Sequence, residues 1–196
     1  LQLLLALLGI SLGAAVIVAV ALATRTAALS FDRSLEALAG PMTHELRARD
    51  GPLQEDLYRR LRLSGNPPPA LPMLEAQLRI GDRQLTLVGI DPLALPPGSP
   101  APGVVSSELP RLLTEPGAVL VPETIAAETG LRPGKRARGT IRGRAVTLLP
   151  LASFPAGPGD WLGDALLADI ATAQELSGRE GELDRIQLRL AAGEAE

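Results

Sequence analysis

The chain has 196 residues, with 19 Lys and Arg against 22 Asp and Glu and a net charge of −3. It has no cysteine, which excludes disulfides, thiolate zinc sites, cysteine nucleophiles and a lipid-modified N-terminal cysteine. The aromatics are Phe31, Tyr58, Phe154 and Trp161 alone, and no basic stripe interleaves with them, so the composition speaks against a nucleic-acid partner.

The first charged residue is Arg25. Residues 1–24 carry three polar side chains (Gln2, Ser11 and Thr24) and no proline. As a helix they span about 36 Å against a hydrocarbon core of about 30 Å. A soluble helix keeps a polar stripe over six turns, whereas a membrane helix must lack one. The spacing therefore predicts a transmembrane helix over 1–24, with membrane lipid as its surroundings. A secretory signal ending at Ala21-Leu22-Ala23 is the competing reading, but its apolar run is 7–15 residues and follows a basic start. Gly9 and Gly13 form G-x-x-x-G, continued by Ala15, Ala19 and Ala23, a ridge suited to close helix packing in the membrane. The bland account is that Gly and Ala are common in such helices. The chain starts with Leu, which reads as a fragment of a longer protein or a processed product, and the missing flank leaves orientation undetermined by charge.

Helical spacing continues over 25–39 with Leu29, Leu35 and Leu38 near one face, and Gly40-Pro41 ends it. Residues 25–40 are thus expected to form a helical stalk beneath a water-facing domain over 41–196, as one body or two lobes. A helix is predicted over 52–63, with Pro52 in the first position and Leu53, Leu57 and Leu61 on one face. Apolar runs 73–80 and 84–90, joined by Gly81-Asp82-Arg83, read as a hairpin that Asp91-Pro92 ends. Residues 91–103, rich in Pro and Gly, read as an irregular excursion.

The second half shows one unit twice. A strand over 118–121 leads to Pro122, a short helix and Gly130. A strand over 165–168 leads to Asp169 as N-cap, a short helix and Gly178. Between them, 137–141 and 144–151 form a second hairpin across Arg142-Gly143. Residues 185–190 alternate and read as a last strand. The expected fold class is mixed α+β with mostly antiparallel pairing.

Catalytic and cofactor patterns are missing. Gly130 to Arg136 has one residue too few between its glycines for a phosphate loop, and Arg136 stands where Ser or Thr would hold magnesium. His44 is the single histidine, too few for a multi-His metal site, and no serine elbow accompanies it. Glu55, Asp56, Glu180, Glu182 and Asp184 read as solvated faces. No catalytic, cofactor-binding or metal-binding residue is expected, and the reading is of a protein that is not an enzyme.

The order of these pieces resembles the FtsX/MacB-type ABC transporter permeases. It runs from the helix LLALLGISLG through LTLVGIDPLA at 85–94 and VLVPETIAAETGLRPG at 119–134 to LADIATAQELSGREGELDRIQLRL at 167–190. The resemblance implies a stalked α+β extracytoplasmic domain of the MacB periplasmic core type, inserted after the first of four membrane helices. It implies as partners an ABC ATPase subunit that hydrolyses ATP in the cytoplasm, a second permease subunit, and a periplasmic protein or lipoprotein. It also implies that the later membrane helices lie outside this sequence. The expected setting is a bacterial inner membrane, and the work expected is export of lipoprotein, peptide or drug, or activation of cell-wall hydrolases. Two other readings stay open: a membrane-anchored binding or sensor domain with no ATPase, and an exported protein cut after Ala23.

Overall fold

The computed structural model describes residues 42–95, 102–156 and 165–190. The expected membrane helix with Gly9 and Gly13 and the stalk over 25–40 lie outside these residues. Among the described residues no helix is long and apolar enough to cross a membrane.

The strands in chain order are β1 (His44–Leu46), β2 (Leu53–Gln54), β3 (Ala70–Ile80), β4 (Arg83–Ile90), β5 (Ala118–Pro122), β6 (Ala137–Ile141), β7 (Arg144–Phe154), β8 (Ala165–Asp169), β9 (Glu182–Leu183) and β10 (Arg185–Leu188). The helices are α1 (Glu55–Arg62), α2 (Pro102–Thr114), α3 (Glu123–Thr129) and α4 (Ile170–Ser177). Eight strands form one sheet in the order β1-β10-β3-β4-β8-β5-β7-β6, and β6 also pairs with β3, closing the sheet on itself. Pairing is antiparallel except for β4 with β8 and β5 with β7. The α+β class holds.

Both hairpins form where the turn residues place them. Gly81 takes φ +58° in the two-residue link from Ile80 to Arg83. Arg142 and Gly143 take φ +50° and +80°, the double left-handed geometry that matches the twist of a two-residue hairpin. The two strand-helix units also form. Gly130 and Gly178 close α3 and α4 in the left-handed conformation, and the Asp169 carboxylate accepts the Thr172 N–H at 3.1 Å. The units meet in the sheet, with Leu120 opposite Leu167.

Alternation along the strands sorts two apolar layers. One face carries Met73, Val88, Leu120 and Leu167 beneath α2, whose Val105 and Leu112 are buried. The other carries Leu74, Leu78, Leu87, Val121 and Leu166 against Ile125 of α3 and Ala173 of α4. A third cluster, Leu53, Ala70, Leu183, Ile186 and Leu188, is covered by Leu57, Tyr58 and Leu61 of α1.

Three expectations need correction. The first helix starts at Glu55, not at Pro52, because Leu53 and Gln54 pair with Leu183 and Glu182 as a strand, and Leu53 is buried there. The excursion over 91–103 gives way to α2 at Pro102. This helix tolerates Pro110 because that residue is exposed, so the helical bond it cannot make is lost on the wet side. Lastly, β1 and β9 are strands that no local pattern announced.

Candidate functional site

The described chain comes in and goes out on neighbouring strands. Strand β1 lies antiparallel to β10, with His44 opposite Leu188 and Leu46 opposite Ile186. Thr43 ties the two ends together. Its N–H donates to the Leu188 carbonyl at 2.9 Å, and its hydroxyl accepts the Leu190 N–H at 2.9 Å. Next to them the Arg189 N–H donates to the Pro69 carbonyl at 2.9 Å, just before β3 begins. His44 is exposed on β1, its Nδ1 2.9 Å from the Thr43 hydroxyl.

An ion network lies behind this clasp. The Arg185 side chain is 3% exposed. Its Nη2 pairs with the Glu75 carboxylate, while its Nε stands 3.7 Å from Glu45 Oε2 and has no hydrogen-bond acceptor. Glu45 also pairs with Arg47. One buried guanidinium thus links β1, β10 and β3. Burial raises the Glu75 carboxyl above its ordinary range, against the opposing pull of Arg185.

A second guanidinium fills a break in the sheet. Along one edge of β3, pairing with β10 stops at Met73 and pairing with β6 starts at Leu78. Between them the Glu75 N–H donates to Asp184 Oδ2 at 2.7 Å, and Arg179 Nη1 donates to the Glu75 carbonyl at 3.3 Å. Arg179 and Asp184 grip each other through both carboxylate oxygens, at 2.7 and 3.2 Å, and Arg179 Nε reaches Glu182 at 2.9 Å. The hydrogen bonds it donates to Asp184 lead in holding the Arg179 guanidinium above its ordinary range.

Local chain geometry aims Arg179. The Gly178 N–H bonds the Glu175 carbonyl and the Arg179 N–H bonds the Gln174 carbonyl at 2.9 Å, the paired bonds of a Schellman stop. Beside the break lies an open hollow of ≈ 620 Å³, lined by Glu75, Gln77, Arg142, Arg179, Glu182 and Asp184 among others.

Sequence reasoning placed Glu182 and Asp184 on solvated faces, and that is corrected here. Both are half-buried partners of Arg179. Glu55, read the same way, accepts from the Gln174 side-chain amide at 2.9 Å. The signal that was available is the density of alternating charge over 179–185, but its partner, Glu75, lies more than 100 residues away. The glycine-rich turn feeds β6 as expected: the Gly134 N–H is used by the Pro150 carbonyl at 2.8 Å and the Lys135 N–H by the Arg132 carbonyl at 3.1 Å. Among the described residues no group of His, Asp or Glu is arranged to hold a metal. The two ends of the folded domain are thus tied to the long strand β3 through Thr43, Arg185 and Asp184.

The sequence is 35% identical over 196 residues to an uncharacterized ABC transporter permease protein of Mycobacterium tuberculosis, an alignment covering 95% of this chain. The chain is related to an ABC transporter permease. It spans 23% of that permease's length. No protein-family model matches the chain. Among solved structures, it is similar to the periplasmic region of MacB from Actinobacillus actinomycetemcomitans, with TM-score 0.42 and 10% identity over 74% of this chain and 68% of that one. It is also similar to the extracellular domain of the noncanonic ABC-type transporter YknZ from Gram-positive bacteria, with TM-score 0.43 and 12% identity over 72% of this chain and 75% of that one. The permease relative aligns across both the apolar stretch and the folded domain, since 95% of the chain cannot be covered without them.

Proposed function

We propose that this chain is the N-terminal part of an ABC transporter permease subunit: a membrane helix over 1–24, packed through Gly9 and Gly13, a stalk over 25–40, and an extracytoplasmic domain. The observation that carries the reading is the pairing of the two ends of the folded domain at Thr43 and Leu190. A domain inserted between two membrane segments needs its ends side by side, and the relationship to a permease supplies the setting. The domain is a non-catalytic transmission element. Movement of the membrane helix, driven by ATP hydrolysis in a partner ATPase subunit, pulls on β1. The Glu45–Arg185–Glu75 link passes the pull to β10 and β3 together, so the sheet moves as one body. A second permease subunit completes the assembly, and the cargo is extracytoplasmic.

Chain topology tests this. The sequence has no cysteine, and Leu63 is 79% exposed. In spheroplasts, Leu63→Cys should react with a membrane-impermeant maleimide, and the protein should stay with the membrane after carbonate washing. Reaction only after lysis would overturn the reading. Co-purification of an ABC ATPase in detergent separates a permease part from a membrane-anchored sensor domain, which would come down without one.

A further inference from the structure

Strand β10 carries Arg185 and Gln187 two positions apart, so the pleat puts both side chains on one face of the sheet. The register supplies their neighbours on that face, since residues directly opposite each other share it. Gln187 lies between Glu45 on β1 and Leu71 on β3, and Arg185 lies opposite Met73 on β3. Leu71 and Met73 are fully buried in the layer beneath α2. Three polar side chains thus stand at the rim of an apolar core.

Two of them are buried, Arg185 with 3% of its side chain exposed and Gln187 with 6% exposed. Each holds a polar atom that no described residue answers. Arg185 Nη2 is taken by Glu75, but its Nε–H has no acceptor, and Gln187 Oε1 has no donor. Glu45 Oε2 stands 3.7 Å from Arg185 Nε, beyond hydrogen-bond distance. Buried polar atoms are as a rule bonded, so an orphan donor and an orphan acceptor on one face of one strand call for a shared partner.

The chemistry selects that partner. A cation is refused by the Arg185 guanidinium. An anion meets the Glu45 carboxylate and has no proton for Gln187 Oε1. The nearby Thr43 hydroxyl is already bonded to the Leu190 backbone. What remains is a small neutral group that both donates and accepts, and water is the smallest. It answers either orientation of the Gln187 amide. A separation of 3.7 Å between Nε and Oε2 also lies within the reach of one water bonded to both.

We propose that a single resident water sits between β1 and β10, accepting from Arg185 Nε–H and donating to Gln187 Oε1 and Glu45 Oε2. Its three bonds are the number a buried water typically makes, about three. It enters on the side of Glu45, whose side chain is 32% exposed, and rests against Leu71 and Met73. The water completes the hydrogen bonds of Arg185 and adds a bonded link between β1 and β10 where the direct contact is of charge alone. The inference stands on the folded domain and is independent of where residues 1–24 lie.

The test uses the full chain in detergent micelles with isotope-labelled arginine. Arg185→Lys keeps the charge and removes Nε–H, so the resonance it deletes identifies the Arg185 Nε–H. In the parent that proton should exchange slowly with solvent. It should also give a rotating-frame cross peak to water of the sign that dipolar contact produces and proton exchange does not. Gln187→Met puts an apolar chain of equal length in place of the amide. It should weaken the cross peak several-fold while the Arg179 Nε–H, bonded to Glu182, stays unshifted. No such cross peak in the parent, or one of undiminished size in Gln187→Met, overturns the proposal. Should Gln187→Met fail to fold, the parent spectrum decides by itself.

Discussion

Arg179 and Asp184 form a two-pronged ion pair that stands in for a missing strand. The pair supplies both the acceptor for the Glu75 N–H and a donor to its carbonyl, at the place where β10 has ended and β6 has not begun. A buried backbone group left without a partner costs about 1–3 kcal/mol, so a side-chain pair at this break keeps β3 continuous.

Asp184→Ala removes the acceptor for the Glu75 N–H and leaves the Arg179 guanidinium, 15% exposed, with Glu182 as its one carboxylate beside the Glu75 carbonyl. We expect a loss of about 2–3 kcal/mol, below that of a fully buried pair because both partners keep some solvent. Asp184→Asn keeps an oxygen for the Glu75 N–H and should lose about half as much. Urea midpoints compared across the three proteins check this, and equal stability of parent and alanine variant would show that water heals the break.

The pH dependence follows from Glu75. Burial holds its carboxyl above the ordinary 4.5, and burial does the same to Asp169 from 3.8. The folded chain therefore holds these protons more tightly than the unfolded chain. Their contribution to stability is fully present below 3.8 to 4.5 and is lost as pH rises through the raised values. Glu75→Gln should flatten the fall in urea midpoint just above pH 4.5 relative to the parent. A parent midpoint that climbs through this window with the variant's unchanged would contradict the sign.

Gly89 sits where α4 crosses β4. A Cβ added there would stand 2.4 Å from the Ala173 Cβ and 3.4 Å from the Ile170 backbone. Gly89→Ala should cost about 1–3 kcal/mol by overpacking. Ala173→Gly on the same background should recover part of it, which thermal unfolding of the single and double variants would measure. No recovery would place the strain elsewhere.

Asp169 ends β8 and caps α4 through the Thr172 N–H. Asp169→Ala should lose about 1 kcal/mol, while Asp169→Asn should lie within a few tenths of the parent, because it keeps the cap and drops a buried charge. An asparagine variant as weak as the alanine one would mean that the charge, not the cap, stabilises the helix.

Much of the fold was legible because its signals are local. Pro122 and Asp169 start helices, Gly130 and Gly178 stop them, and Gly81-Asp82 and Arg142-Gly143 turn hairpins, each within a few residues of the element it governs. Strands β2 and β9 were illegible because each is two residues long and is defined by partners 128 and 130 positions away. Helix α2 was hidden by Pro110 and by the Pro-rich run before it. The candidate site was the least legible part. Glu75, Asp184 and Arg185 are ordinary charged residues in sequence, and their roles exist only where three strands meet.

The sequence alone determined the uncharged opening, the α+β alternation and the two strand-helix units, since hydrophobic spacing and backbone preferences act between near neighbours. Tertiary structure alone decided that the sheet closes through β6 and β3, that β1 and β10 hold the two ends of the folded domain together, and that Arg179 and Asp184 bridge the break at Glu75. Those outcomes depend on which strand edges are left over once the apolar faces are buried, a property of the assembled sheet and of no single segment.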